Sequence, residues 1–312
     1  MHKSPEQNRD DPRIGLVAEI VEEALGTPAT EIVLLVEQGN VNRTYSIATR
    51  NGNFILRARF DRNEMRQFIC EQQCADLIRK VHDWTPAVVA VGRYGDHCYS
   101  IQEEIPGVVA SRYPGDMIEV WEQIGQYSKF FHDIRTSGYL FDLFREGPLP
   151  EGLWCQRYFD GLGEASSSKL VTRGLLTQGE FESAFEALQP LKNLAFEPTL
   201  AHGNLTPKNI MVGPSGKAHI IDWGTCQGHL AIDLDISELF VFGTPPEHVQ
   251  AYLRGHRLPN DYVEQNFDLI HRLQLVRLFT TANWLCATES SRKNDLANYV
   301  AGVKSIVGRL RS

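Results

Sequence analysis

Ala201-His-Gly-Asn204-Leu-Thr-Pro-Lys-Asn209-Ile-Met-Val-Gly-Pro-Ser-Gly-Lys-Ala-His-Ile-Ile-Asp222-Trp-Gly224 is the stretch on which the reading of this chain turns. Ile210-Met211-Val212 and His219-Ile220-Ile221 are short apolar runs, and Gly213 to Ala218 is rich in turn formers, so a β-hairpin is predicted. If Val212 pairs with His219, antiparallel register sets Ile210 against Ile221 and Asn209 against Asp222, with Cα atoms about 5 Å apart. A carboxylate and an amide oxygen then converge at the end of the hairpin. Magnesium needs no more from protein when phosphate oxygens and water supply its other ligands. Taken singly, an Asp that caps a turn and an Asn that satisfies backbone groups are the plainer readings. The compound spacing, with His-Gly before Asn209 and a 13-residue step on to Asp222-Trp-Gly, argues for a site.

The rest of the chain bounds what that site belongs to. It has 312 residues, 42% of them apolar, which is long for one domain and makes two lobes the natural expectation. The formal charge of −8, with no dense run of Lys or Arg, excludes a nucleic-acid partner from the expectations. No apolar run approaches membrane-spanning length, so no membrane partner is expected. The six cysteines, Cys70, Cys74, Cys98, Cys155, Cys226 and Cys286, form no CxxC pair. Reduced, buried thiols in a cytoplasmic protein fit them best, with Cys70 and Cys74 on one face of a helix.

Working upstream, residues 1–13 read as a loose tail. Val17, Ile20, Val21, Ala24 and Leu25 recur at helical spacing, with Gly26 as C-cap. Ile32 to Val36, Thr44 to Thr49 and Phe54 to Ala58 read as three antiparallel strands, the last two flanking Asn51-Gly52. A helix over Arg62 to Lys80 and strands over Ala87 to Val91 and Cys98 to Gln102 complete an N-terminal part of five strands and a helix. Beyond Ile105-Pro106-Gly107 the pattern turns helical, over Met117 to Asp133, Glu151 to Leu162, Thr177 to Leu194, Asn266 to Glu289 and Asp295 to Arg311.

Together these residues resemble the aminoglycoside phosphotransferase and choline kinase family, distant relatives of the protein kinases, over about residues 30 to 245. The resemblance implies an α+β, protein-kinase-like two-lobed fold, with a five-stranded antiparallel sheet plus helix in the N-lobe and a mainly helical C-lobe. It places a nucleotide-binding lobe at 14–104, and at 105–312 a lobe carrying the metal and catalytic loop and the acceptor site. It implies transfer of a γ-phosphoryl group from ATP (or GTP), with Mg2+, to a hydroxyl of a small polar acceptor, aminoglycoside-like or another amine or sugar. The protein would be a monomer or homodimer. Asn209 and Asp222 would be the magnesium ligands, Asp222 standing where protein kinases have the Asp of Asp-Phe-Gly. Gln38 to Tyr45 resembles the phosphate-covering loop, with Gly39 and Asn42 near the nucleotide. Arg57 matches the phosphate-binding Lys, and Glu71 would form the ion pair that holds it over the phosphates. Ile101 to Gly107 looks like the hinge, so the Glu103 carbonyl and Ile105 amide would contact adenine. Gly228 to Leu234 looks like the family's Gly-Asp-Pro-x-x-Asp-Leu segment, apart from His229 and Leu230, and makes Asp233 a loop brace. Asp233, Asp235, Glu238 and Asp268 supply negative charge that would read an amine, although solvated surface or helix caps explain them equally well. GxGxxG, Ala-Pro-Glu and His-Arg-Asp motifs are absent, which separates the chain from the protein kinases themselves.

One departure matters. The family's loop reads His-Gly-Asp, and that Asp accepts the proton of the attacking hydroxyl; here the position is Asn204. An amide orients a hydroxyl but takes up no proton at neutral pH. His202 in the same loop reads as structural. Three readings stand side by side: a slow or differently organised kinase, a catalysis-deficient relative that binds nucleotide or metabolite, and an active enzyme whose Asp was exchanged to trap a complex.

Overall fold

A computed structural model of the chain describes residues 11–35, 42–60, 65–137, 143, 167–287 and 293–311. In chain order these form α1 (Ile14–Leu25), β1 (Ala29–Leu34), β2 (Arg43–Thr49), β3 (Gly52–Arg59), α2 (Met65–Arg79), β4 (Val88–Tyr94), β5 (His97–Glu103) and β6 (Val108–Val109). There follow α3 (Met117–His132), α4 (Ser167–Thr172), α5 (Gln178–Leu188), β7 (Thr199–Ala201), β8 (Ile210–Val212), β9 (Ala218–Ile220) and β10 (Gln227–His229). The chain closes with α6 (Ala231–Val241), α7 (Pro246–His256), α8 (Tyr262–Gln265), α9 (Phe267–Ala287) and α10 (Lys293–Arg311). Described residues up to Gly115, together with Pro207–Thr225, form one compact unit, and Asp116–Thr206 with Cys226 onward form a second. The Asn209–Asp222 segment clusters with the first unit because Met211 and Val212 of β8 pair with Val109 and Val108 of β6.

In the first unit five antiparallel strands lie in the order β1-β2-β3-β5-β4. Thr49 pairs with Gly52, so Arg50 and Asn51 make the hairpin turn. Alternation divides the faces. Tyr45, Ile47, Leu56, Ala58 and Ile101 pack with Val17, Ile20 and Val21 of α1 into one apolar cluster. Helix α1 ends at Gly26, whose left-handed φ of 63° lets its amide donate to the Glu22 carbonyl at 2.9 Å. The intervening β3 residues, Arg57 and Arg59, are buried too, and both guanidinium groups lie over Phe68 of α2, at 5.8 and 5.9 Å from its ring centre. Asp11, expected in a loose tail, instead accepts hydrogen bonds from Tyr45 Oη at 2.9 Å and Arg43 at 3.0 Å.

The hairpin of the decisive stretch forms, one residue tighter than expected. Ile210 pairs with Ile220, Met211 with His219 and Val212 with Ala218. The loop closes early because the Gly213 amide donates to the Lys217 carbonyl at 2.9 Å, and Gly216 adopts the φ of 80° that such a turn requires. Asn209 consequently faces Ile221, whose amide donates to the Asn209 carbonyl at 2.9 Å, and Asp222 lies one residue further on.

The second unit is mainly helical. Asp116 caps α3 by accepting from the Ile118 amide at 2.7 Å, and Thr177 and Glu180 form a reciprocal capping box on α5. The helix expected to Leu194 stops at Leu188 and continues only as a 3-10 turn over Gln189–Asn193, since Pro190 supplies no backbone donor. The predicted helix over 151–162 lies outside the described residues. Leu273, Val276 and Phe279 of α9 pack with Val300, Val303 and Ile306 of α10 in the core. No described helix is long and apolar enough to cross a membrane.

Helices α3 and α7 approach so closely that a Cβ on Gly125 would overlap the Tyr252 carbonyl, and one on Gly255 the Glu122 carbonyl. Alanine is the better helix former by about 1 kcal/mol. Gly125→Ala is nonetheless expected to destabilise the protein by about 1–3 kcal/mol in urea denaturation, because backbone cannot yield as a side chain does. A stability gain would mean that the helices pack less tightly than this.

Candidate active site

In the first unit the structure brings Arg57, Glu71 and Asp222 together. Arg57 Nη1 donates to both oxygens of Glu71, at 2.6 and 2.8 Å, and Nη2 donates to Asp222 Oδ1 at 2.6 Å. One guanidinium thus joins β3, α2 and the end of the hairpin. Burial works against the Arg57 charge, but the Asp222 and Glu71 carboxylates outweigh it and hold its pKa above the ordinary value. Glu71 is 2% exposed. Burial raises its pKa and Arg57 pulls it back, while the Asp222 carboxylate raises it further. The Trp223 amide also donates to Glu71.

Asp222 has a φ of 63°, unusual for a residue with a side chain. That kink ends the strand pairing and presents the carboxylate to Arg57 while leaving it 34% exposed. Asn209 closes a 3-10 turn, Pro207–Asn209, and is buried. Carboxylate and amide oxygen therefore stand at the same end of one hairpin, in diagonal rather than directly opposed positions. An oxygen-only pair of this kind fits a hard divalent cation. Asn42 Oδ1 accepts from Arg59 Nε at 2.7 Å, and Gly39 lies outside the described residues. Glu103 ends β5 with its amide donating to the Ala87 carbonyl at 2.9 Å, and Ile105 follows just beyond.

The His202-Gly203-Asn204 loop belongs to the second unit. Its brace is Asp235, not Asp233. Asp235 is fully buried, and its carboxylate accepts from the His202 amide at 3.0 Å and the Gly203 amide at 2.8 Å. His132 Nε2 lies 3.0 Å from the same carboxylate, and His132 Nδ1 lies 3.0 Å from His256 Nε2. An ionised carboxylate only accepts, so His132 carries its proton on Nε2. Burial opposes the charge on Asp235, yet the hydrogen bonds from His132 and the Gly203 amide hold the pKa below the usual carboxylate value. His202 is fully buried, and its Nδ1 lies 3.3 Å from the Asn204 amide, which suits a structural role.

Asn204 Oδ1 receives Arg277 Nη2 at 3.5 Å, and Arg277 Nε lies 3.2 Å from Glu238 Oε1. Sequence reasoning missed Arg277. Its signal was a charge amid Leu273, Leu275, Val276, Leu278 and Phe279, all buried, where an unpartnered Arg is not tolerated. The acids expected to read an amine are otherwise engaged. Asp235 braces the loop, Asp233 accepts from Tyr262 Oη at 2.9 Å, and Asp268 lies on the surface 3.5 Å from Arg272 one helical turn away.

Glu238 gives this site a pH dependence. Burial raises its pKa from 4.5 to about 7, Arg277 opposing. The folded chain therefore binds a proton that the unfolded chain releases, and the stability so gained is present below pH 4.5 and lost as pH rises through 7. Glu238→Gln removes this term. The stability of the native chain relative to Glu238→Gln is expected to fall by roughly 3 kcal/mol between pH 4 and pH 8, read by urea denaturation at both. A difference independent of pH would show that Glu238 is ionised throughout.

A family model described as "Phosphotransferase enzyme family" (APH) matches residues 33–264. The chain belongs to this family. Three solved structures align along nearly its whole length. A thermostable mutant of aminoglycoside phosphotransferase APH(4)-Ia, in ternary complex with ADP and hygromycin B, has a TM-score of 0.70 at 13% identity and covers 94% of this chain and 98% of its own. The apo form of such a mutant gives 0.70 at 14% identity, with 94% and 98% covered. Spectinomycin phosphotransferase APH(9)-Ia, in complex with ADP and spectinomycin, gives 0.64 at 10% identity, with 96% and 97% covered. At these identities the likeness shows the fold. It is the kinase-like aminoglycoside phosphotransferase fold, with the five-stranded antiparallel sheet of this family member in its first unit. No curated protein matches the sequence.

Proposed function

We propose that this phosphotransferase-family member transfers the γ-phosphoryl group of ATP to a hydroxyl of a small polar molecule. The observation that carries the reading is the Arg57 guanidinium, held by Glu71 and reaching Asp222 at 2.6 Å. Phosphoryl transfer through a loose transition state asks mainly for positioned positive charge and little covalent chemistry from protein. Arg57 binds phosphate oxygens, and Glu71 fixes its direction. Asn209 and Asp222 would hold a magnesium ion, which would supply neutralisation of charge on the phosphates. Asp222 meets Arg57 through Oδ1 and is partly exposed. Asn204 orients the acceptor hydroxyl by accepting its hydrogen bond. The relatives bound to ADP support a nucleotide at this site, and those bound to hygromycin B or spectinomycin support a small-molecule acceptor.

Asn204 itself favours a second reading, a catalysis-deficient protein that binds nucleotide without turnover. Transfer of labelled phosphate from ATP in magnesium, across aminoglycosides, choline-like amines, sugars and hydroxy acids, separates the two. The kinase reading expects a phosphorylated acceptor that disappears in Asp222→Asn. Nucleotide-dependent thermal stabilisation with no transfer to any class selects the second reading.

A further inference from the structure

The amine expected as acceptor does not suit the charges around Asn204. Among the described residues, Arg277 brings a cation to the Asn204 side-chain oxygen, and the carboxylate paired with it lies beneath. Glu238 is 1% exposed and the Arg277 side chain 30%, so the pair presents its positive end outward. The guanidinium lies between two groups, with Nε 3.2 Å from Glu238 Oε1 in an ion pair and Nη2 3.5 Å from Asn204 Oδ1. Its Nη1 donors meet no acceptor among the described residues. A guanidinium fixed on one edge with donors left on another is a ready fork for an oxyanion, whose two oxygens match its geometry. A primary ammonium in the same place meets like charge.

Resting on the kinase reading above, we infer that the acceptor carries an oxyanion, a carboxylate or a phosphate, bound by Arg277 close to the hydroxyl that docks at Asn204. Arg277 is the specificity-determining residue of the acceptor site. Its place beside Asn204 fixes which hydroxyl is presented, since the anion and the reacting oxygen are read within one side chain's reach of each other. Among the described residues, the acids expected to select an amine are engaged, Asp235 on the loop amides, Glu238 on Arg277 and Asp233 on Tyr262.

The test is anion binding to the protein saturated with magnesium and AMP-PNP, which occupies the nucleotide site first. Inorganic phosphate, acetate and ethanolamine are titrated by calorimetry into the native chain and into Arg277→Gln and Arg277→Lys. Phosphate or acetate is expected to bind the native chain, to weaken at least tenfold in Arg277→Gln, and to keep an intermediate affinity in Arg277→Lys, which retains charge without the fork. Ethanolamine is expected not to bind. If the Gln variant fails to fold, the Lys variant still reads the loss of fork geometry. Phosphate binding over acetate names a phosphorylated acceptor, and the reverse a hydroxy acid. Absent anion binding, anion binding untouched by both substitutions, or tighter binding of ethanolamine overturns the inference. Failure of AMP-PNP to bind would count against the kinase reading instead; the anion titration, run on nucleotide-free protein, would still report on Arg277 through the two variants.

Discussion

Asn204→Asp is expected to raise phosphoryl transfer by roughly 10²- to 10⁴-fold, the usual contribution of a positioned general base. The exchange of an amide for a carboxylate is isosteric, and the backbone at this point is already fixed. Asp235 holds the His202 and Gly203 amides, and the Asn204 amide faces His202 Nδ1 at 3.3 Å. Arg277, 3.5 Å from the amide oxygen, would keep the new carboxylate ionised and therefore able to accept a proton. Transfer retained by the native chain is expected to be slow rather than nil, because positioning and electrostatics carry most of the barrier reduction in this chemistry. Single-turnover measurement at saturating ATP reads the change. Equal rates in the two proteins would show that Asn204 is not at the proton-accepting position.

Arg57→Met is expected to lower stability by about 3–5 kcal/mol, the cost of leaving a buried charge without its partner. The effect rests on Glu71 more than on Asp222. Glu71 is 2% exposed and would face α2 and β3 as an unpaired carboxylate, whereas Asp222, 34% exposed, can turn to water. Glu71→Gln keeps a hydrogen-bond acceptor for Arg57 and is expected to cost less. Adding Glu71→Leu to Arg57→Met should restore part of the loss, since an apolar pair of similar volume has no charge to bury. Urea denaturation of the native chain, Arg57→Met, Glu71→Leu and the double variant gives the coupling directly. A loss below 1 kcal/mol for Arg57→Met would put the pair in the class of solvent-screened surface bridges.

The residues that sequence could place are those whose chemistry is local. The Gly26 cap acts within a few residues and was legible from spacing alone, and Asn51-Gly52 announced a hairpin whose turn falls on Arg50 and Asn51. The Arg57–Glu71 contact was legible only through the family resemblance, in which an arginine on the third strand precedes a glutamate on the following helix. The hairpin register was missed by one residue because the loop from Gly213 to Lys217 closes through a bond that Gly216 permits, and period-two alternation does not fix loop length. Helix α6 gave no periodic signal, as residues from Asp233 to Leu239 are buried on every side. The same burial hid Asp235. Two acids two apart on a helix point in different directions, and which of them meets the loop depends on how the helix is turned, a tertiary fact. Arg277 and His132 were out of reach for the same reason, since each acquires meaning only from partners on other elements far away in sequence.

We propose that Asp222 and Arg57 together hold a magnesium nucleotide. Calorimetric titration of AMP-PNP into the native chain, with magnesium and with EDTA, and into Asp222→Ala, tests it most directly. Saturable binding that weakens at least tenfold on removal of either magnesium or the Asp222 carboxylate is the predicted result. Absence of binding, or binding indifferent to both changes, would contradict it.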